Sequence, residues 1–244
     1  MHTRAENIMK SKYYFLILKG FAGTLEIVAC SMIISLFLGM LIAAVRAHYQ
    51  FSSKLRFLNC FAVIFVNIIR GTPVMLQLLI MAYIVLVQLK SVFLVAVITF
   101  GLNSSAYVSE ILRSGIKGVP TNQYTAGAAL GFKNTQIINL IIFPQALRNS
   151  LPSLLNEFSA LLKETAIVGI IGFTDITHAA SIIRSTLFSP IMPFLIVGAI
   201  YFAISSVASY CFEKIEQLIA TREGSNCKKI SAISEKREED LLND

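Results

Sequence analysis

Apolar residues run along this chain in long, nearly unbroken stretches, without the alternation or one-sided periodicity of soluble elements. Five stretches approach or exceed the roughly 20 residues a membrane-crossing helix needs: about 21–45, 61–88, 92–112, 151–173 and 191–212. Only Leu89, Lys90 and Ser91 separate the second from the third, which predicts a tight hairpin. The third and fourth are separated instead by residues 119–148, VPTNQYTAGAALGFKNTQIINLIIFPQALR. That stretch is polar, punctuated by Gly and Pro, and far longer than the roughly 2–8 residues that join most helices. Its length points to a docking loop for a soluble partner; an amphipathic re-entrant connector is the plainer alternative. The pattern gives an all-α integral membrane chain with about five spans. Its divisions are an interfacial lead-in at 1–20, a membrane domain at 21–216 and a polar tail at 217–244, whose helix is expected to fray. Residues 1–20 lack the form of a cleaved signal, because Lys19 interrupts the apolar patch and no small-residue cleavage site follows.

Composition agrees with that pattern. The 244 residues are 55% hydrophobic and 14% charged, against about 25% charged in soluble domains, and mean hydropathy is +0.69. The net charge of +7 is not gathered into a basic stripe with interleaved aromatics, so nucleic acid is not an expected partner. The positive charge sits mostly between spans. With the N-terminus outside and the C-terminus in the cytoplasm, thirteen of the 21 Lys and Arg residues fall inside and six outside. The positive-inside rule favours this topology, although the basic N-terminus runs against it, and it sets the 119–148 loop in the cytoplasm. Cys30, Cys60, Cys211 and Cys227 have no metal or disulfide spacing and read as small apolar filler.

Ionisable side chains inside spans are costly and face a bundle interior or a wet path. Glu26 lies near an outer interface, where its carboxylate can snorkel to water. Arg70 stands in IIRGTPVMLQ. There Gly71 and Pro73 break the helix, and the Arg either lines a cavity with freed carbonyls or anchors a kinked entry. Glu110 and Arg113, three apart on one face, can pair, for structure or for transport. Glu157 and Lys163 lie on different faces of the fourth span and need partners from other helices. Lys163-Glu164-Thr165 within an apolar span suggests a polar lumen, with inter-subunit packing as the alternative. Asp175 and His178 follow in TDITHAASIIRS. That segment reads as a solvated outer loop or a contact for an external partner, with too few ligands for zinc. No nucleophile–base set, phosphate-binding loop or metal spacing appears, so no catalysis and no cofactor are expected of this chain.

Within the loop, Pro120 and Thr121 predict a stop and an N-cap. A short helix then runs to Leu130, with Gly131 as a left-handed C-cap. Its face is small, at Ala126, Gly127, Ala128 and Ala129, which suits close approach of a partner. A second helix at about 134–142 leads to Pro144.

These residues resemble the EAA loop of ABC importer permeases of the polar amino acid family, the histidine, arginine and glutamine permeases. The family pattern GQ-x-EAA-x-x-LG is matched by Asn122-Gln123-Tyr124-Thr125-Ala126-Gly127-Ala128-Ala129-Leu130-Gly131. It is followed, as in the family, by Phe143-Pro144-Gln145-Ala146-Leu147-Arg148, then Leu151-Pro152, then Lys163-Glu164-Thr165-Ala166-Ile167. Upstream, GTLEI, Arg70-Gly71-Thr72-Pro73 and AYVSEILRSGI are similar to further family segments. The chain departs at Thr125, where the motif has Glu, at Gly127 and Asn122, and at Ser114, which replaces a Gly. The resemblance implies a type I (MetI-like) permease half-channel in the bacterial inner membrane, carrying a polar amino acid. Its implied partners are cytosolic ABC ATPase subunits, a second permease, identical or not, and an external amino-acid-binding protein. It also implies ATPase coupling through Gln123, Thr125, Ala126, Gly127, Leu130 and Gly131. We set Arg70, Glu110, Glu157 and Lys163 along the substrate pathway. The rival reading is a secondary transporter or channel subunit that works without ATP. Such proteins often carry internal repeats, and none is evident here.

Overall fold

The computed structural model describes residues 2–52, 55–188 and 191–243, with side chains described over 12–49, 55–188 and 191–219. No strand occurs among them. Three helices are long and apolar enough to cross a membrane: Lys12–Tyr49, Val92–Lys117 and Met192–Ile219. The number reaches five if two bent pairs each count as one span.

Helix α1 runs His2–Ser52, so the expected boundary near residue 20 is not a break in the helix. α2 (Arg56–Gly71) and α3 (Val74–Ile80, continued by a π-helical turn Met81–Val85) are the two arms of the second apolar stretch. They meet at 108°. Pro73 forces the break, because it has no N–H to donate and its neighbour Thr72 is extended (φ −122°, ψ 146°). α4 (Val92–Lys117) follows, capped by Ser91, whose hydroxyl accepts from Leu94 N. The loop then holds α5 (Thr121–Ala129), α6 (Asn134–Gln136) and a π-helical segment, Ile137–Ile142. α7 (Phe143–Glu164) continues directly from it and tightens into a 3₁₀ turn, Thr165–Ile171. Proline at position 144 cannot donate to the carbonyl four residues back, and the wider π register immediately precedes it. α8 spans Ile176–Leu187. α9 spans Met192–Asn243, helical through the polar segment that sequence led us to expect would fray.

Residues 1–205 and 206–244 form two compact units. The second unit is helical, with the Lys214 ammonium 5.7 Å from the Tyr210 ring centroid. In the first unit α4 packs along both α1 and α7, and α1 also touches α7. Small residues make this possible, as is usual where helices meet in lipid. A Cβ at Gly39 would stand 2.7 Å from Val108 Cβ, and one at Gly115 would stand 2.5 Å from the Ala146 carbonyl oxygen. The central core gathers Ile27 and Val28 of α1, Leu78 of α3, Phe100 of α4 and Leu161 of α7, all essentially without exposure. Across the α1–α4 seam the Ser31 hydroxyl donates to the Val97 carbonyl at 3.2 Å.

Candidate functional site: a capped loop and a polar cavity

The loop helix α5 is closed off by backbone geometry. Gly131 takes φ +81°, its N–H donates to the Ala128 carbonyl, and the Phe132 N–H reaches the Gly127 carbonyl. These two bonds form a Schellman ending, as the glycine predicted. The N-terminus differs from expectation by one residue. Pro120 is the capping position and Thr121 the first helical residue, with no side-chain cap bond. Below the helix, Tyr124 Oη donates to Asn134 Oδ1 at 2.9 Å, and Gln136 Oε1 accepts from Lys133 N at 2.9 Å.

Gly127 has a different role from the rest of the small-residue face. It is the buried residue of α5, and a Cβ there would meet Ile137 Cγ1 at 3.0 Å. The glycine lets α5 sit on the π-helical segment, which rests in turn on Ala47, Ile116, Val119 and Ala146. Gln123, Thr125, Ala126 and Gly131 are exposed. So are Leu130, at 78%, and Phe132, at 42%. The Thr125 hydroxyl donates to the Asn122 carbonyl at 3.0 Å. A polar loop therefore ends in an apolar tip. Sequence reasoning missed Phe132; its signal was a large apolar residue just past the helix-ending glycine.

The predicted pathway residues are only partly brought together. Arg70 and Glu110 line one polar cavity of about 620 Å³, with Tyr107, Ser114, Asn149 and Ser153. The Arg70 guanidinium lies 5.4 Å from the Tyr107 ring centroid, within cation–π range. Glu110 is the centre of a three-residue ion network. It pairs with Arg113, as the spacing indicated, and also accepts from Arg46 Nη1 of α1 at 2.7 Å. Glu157 finds its partner on another helix, where the Ser104 hydroxyl donates to it at 2.6 Å. Lys163 is exposed, does not line the cavity, and is in no ion pair among the described residues.

The carbonyls freed at the Pro73 break are held by a side chain, and Ile69, Thr72 and Gln77 border a mostly apolar cavity of about 220 Å³. Gln77 Nε2 donates to the carbonyls of Ile69 (2.8 Å) and Thr72 (3.1 Å), and Asn103 Nδ2 of α4 donates to Gln77 Oε1 at 2.9 Å. A break in lipid survives only when its polar groups are satisfied by protein, and these two amides do that. The structure corrects the reading of Asp175, expected in a solvated loop. It is fully buried and caps α8, accepting from Thr177 N and His178 N at 2.9 Å each.

The sequence matches the family described as binding-protein-dependent transport system inner membrane component over residues 24–220. The putative glutamine transport system permease protein GlnP of Rickettsia conorii is 36% identical over 213 residues, covering 84% of this chain and 95% of that protein. The arginine transport system permease protein ArtQ of Bacillus subtilis is 34% identical, with coverage of 85% and 94%. Among solved structures, an amino acid ABC transporter crystallised with histidines superposes with a TM-score of 0.78 at 34% identity, covering 86% of this chain and 97% of that one. The inward-facing MetNI methionine ABC transporter shares the fold, at TM-score 0.71 and 16% identity. Three to five candidate spans, a capped loop between α4 and α7, and these matches agree: the chain belongs to the binding-protein-dependent transport inner membrane component family and is an ABC importer permease of MetI-like fold.

Proposed function

We propose that this permease carries a polar amino acid across the bacterial inner membrane and is driven through its 119–148 loop by cytosolic ABC ATPase subunits. The observation that carries the reading is the apolar tip, Leu130 and Phe132, exposed on a loop whose backbone is otherwise internally closed. Apolar groups held out to water on a rigid support favour a docking partner. Gln123, Thr125, Ala126 and Gly131 surround that tip and form the rest of the contact. Gly127 couples it to the spans, because it rests on Ile137. Closure of the ATPase then rocks the spans through the π-helical segment and α7, a rigid-body transition. The N-terminus lies outside and the C-terminus in the cytoplasm, as the Lys/Arg asymmetry favours. A second permease completes the channel, and an external binding protein delivers the substrate. Relatives named for glutamine and arginine support an amino-acid cargo.

Along the pathway, Arg70 and Glu157 are charged side chains with little internal commitment among the described residues. Among the described residues Arg70 holds a ring face, and Glu157 a single hydroxyl. Glu110 is occupied by two arginines and braces α1 against α4. Lys163, exposed and outside the cavity, faces either the lumen or a second subunit. The test is uptake of labelled amino acid into vesicles holding the whole complex. ATP should drive it, whereas uptake driven by a proton gradient without ATP would overturn the reading. Arg70→Gln and Glu157→Gln should each lower uptake about tenfold or more, the cost of roughly one lost charged contact. Unchanged uptake would remove them from the pathway.

A further inference from the structure

An apolar groove of about 360 Å³ runs beside α1. One wall is a single face of that helix, at Phe37, Met40, Leu41, Ala44 and His48, which recur three and four residues apart. The other wall includes Ile138 and Ile142 of the π-helical segment, and Asn139 also borders the groove. His48 and Asn139 are the polar members of an otherwise apolar lining. From Phe37 to His48 the helix rises about 16 Å at about 1.5 Å per residue. That is the depth of one leaflet in a hydrocarbon core about 30 Å thick. The polar end is the end that adjoins the 119–148 loop, since Ala47 packs with Val119 and Ile137. Phe37 is 67% exposed and Leu41 56%, so the groove opens sideways where the bilayer would lie.

We propose that this groove holds one acyl chain of a phospholipid from the leaflet on the loop side, with the lipid phosphate at His48 and Asn139. The ordering matches an amphiphile: a helix face apolar from Phe37 to Ala44 that ends in the His48 imidazole, with the Asn139 amide also bordering the groove, both able to donate to phosphate oxygens. The inference rests on the membrane orientation proposed above. Its consequence is mechanical. Ile138 and Ile142 adjoin Ile137, which carries Gly127 of α5, so the bound chain braces the segment through which the loop moves the spans.

The test counts phospholipid that stays with the full chain in detergent, by native mass spectrometry, after mixing with palmitoyl-oleoyl phosphatidylglycerol. The wild-type chain should retain one phospholipid. Ala44→Phe fills the groove from an exposed position and should lower retention roughly tenfold, as expected when a few buried methylenes are displaced. Leu41→Gln keeps the volume and should give a smaller loss in the same direction should Ala44→Phe not fold. Val207→Phe, on exposed α9 surface, should change nothing. Equal retention by wild type, Ala44→Phe and Leu41→Gln would overturn the proposal. So would cross-linking of Ala44→Cys to a neighbouring protein chain in the assembled complex, which would make the groove a protein interface. Uptake is not the readout, so failure of the lipid site leaves the transport reading standing, and loss of the transport reading leaves the lipid count interpretable.

Discussion

Two turns of this chain are built alike and buried oppositely. Gly131 and Gly172 each end a helical segment at positive φ, +81° and +85°, with open space where a Cβ would stand. Around Gly131 the apolar Leu130 and Phe132 are exposed, whereas shortly after Gly172 the charged Asp175 is fully buried. Local hydropathy would assign them the other way round. The difference lies in what α1 brings to each. A Cβ at Gly20 would stand 2.6 Å from the Asp175 carbonyl oxygen, so the α1 backbone itself covers that turn. The Asp175 carboxylate is then tolerable because two backbone N–H groups of α8 satisfy it. On α5 Gly127 is buried and Tyr124 packs against the same cluster, whereas the apolar tip stays exposed.

The comparison can be broken at its tightest contact first. Gly20→Val should destabilise the chain by about 3 kcal/mol, because the obstructing atoms are backbone and cannot swing aside; thermal unfolding in detergent reads it. A Tm unchanged from wild type would mean that α1 does not cover the turn. Asp175→Ala should cost about 1–2 kcal/mol in the same assay, the usual cost of losing an N-cap, whereas Asp175→Asn should recover most of that, because an amide oxygen still accepts. Equal loss in both would show that the charge, not the cap, matters there. On the exposed side, Thr125→Glu should leave Tm unchanged and tighten or preserve ATPase binding, since Thr125 bonds only within α5. Weaker binding would place the contact elsewhere.

How much of this was legible depended on how far apart the partners lie in sequence. The Pro73 break, the Gly131 ending and the Glu110–Arg113 pair follow from residues within a few positions of each other, and sequence reasoning reached all three. Arg46 joins Glu110 from 64 residues away and Ser104 joins Glu157 from 53. Nothing local marks either, because each partner is chosen by how α1, α4 and α7 pack. The same holds for the Gln77–Asn103 pair that closes the break. Gly127 reads in sequence as a weakened helix; Ile137 beneath it supplies the reason for a residue with no side chain.

The account turns on whether the apolar tip of the loop is the handle. The direct measurement is substrate-stimulated ATP hydrolysis by the reconstituted complex carrying Leu130→Ser together with Phe132→Ser. Both side chains are exposed, so the chain should fold with an unchanged Tm. The account predicts that stimulation falls about tenfold or more, as expected when an apolar hot spot is lost, and that the ATPase subunits no longer co-purify. Full stimulation with normal co-purification would contradict it.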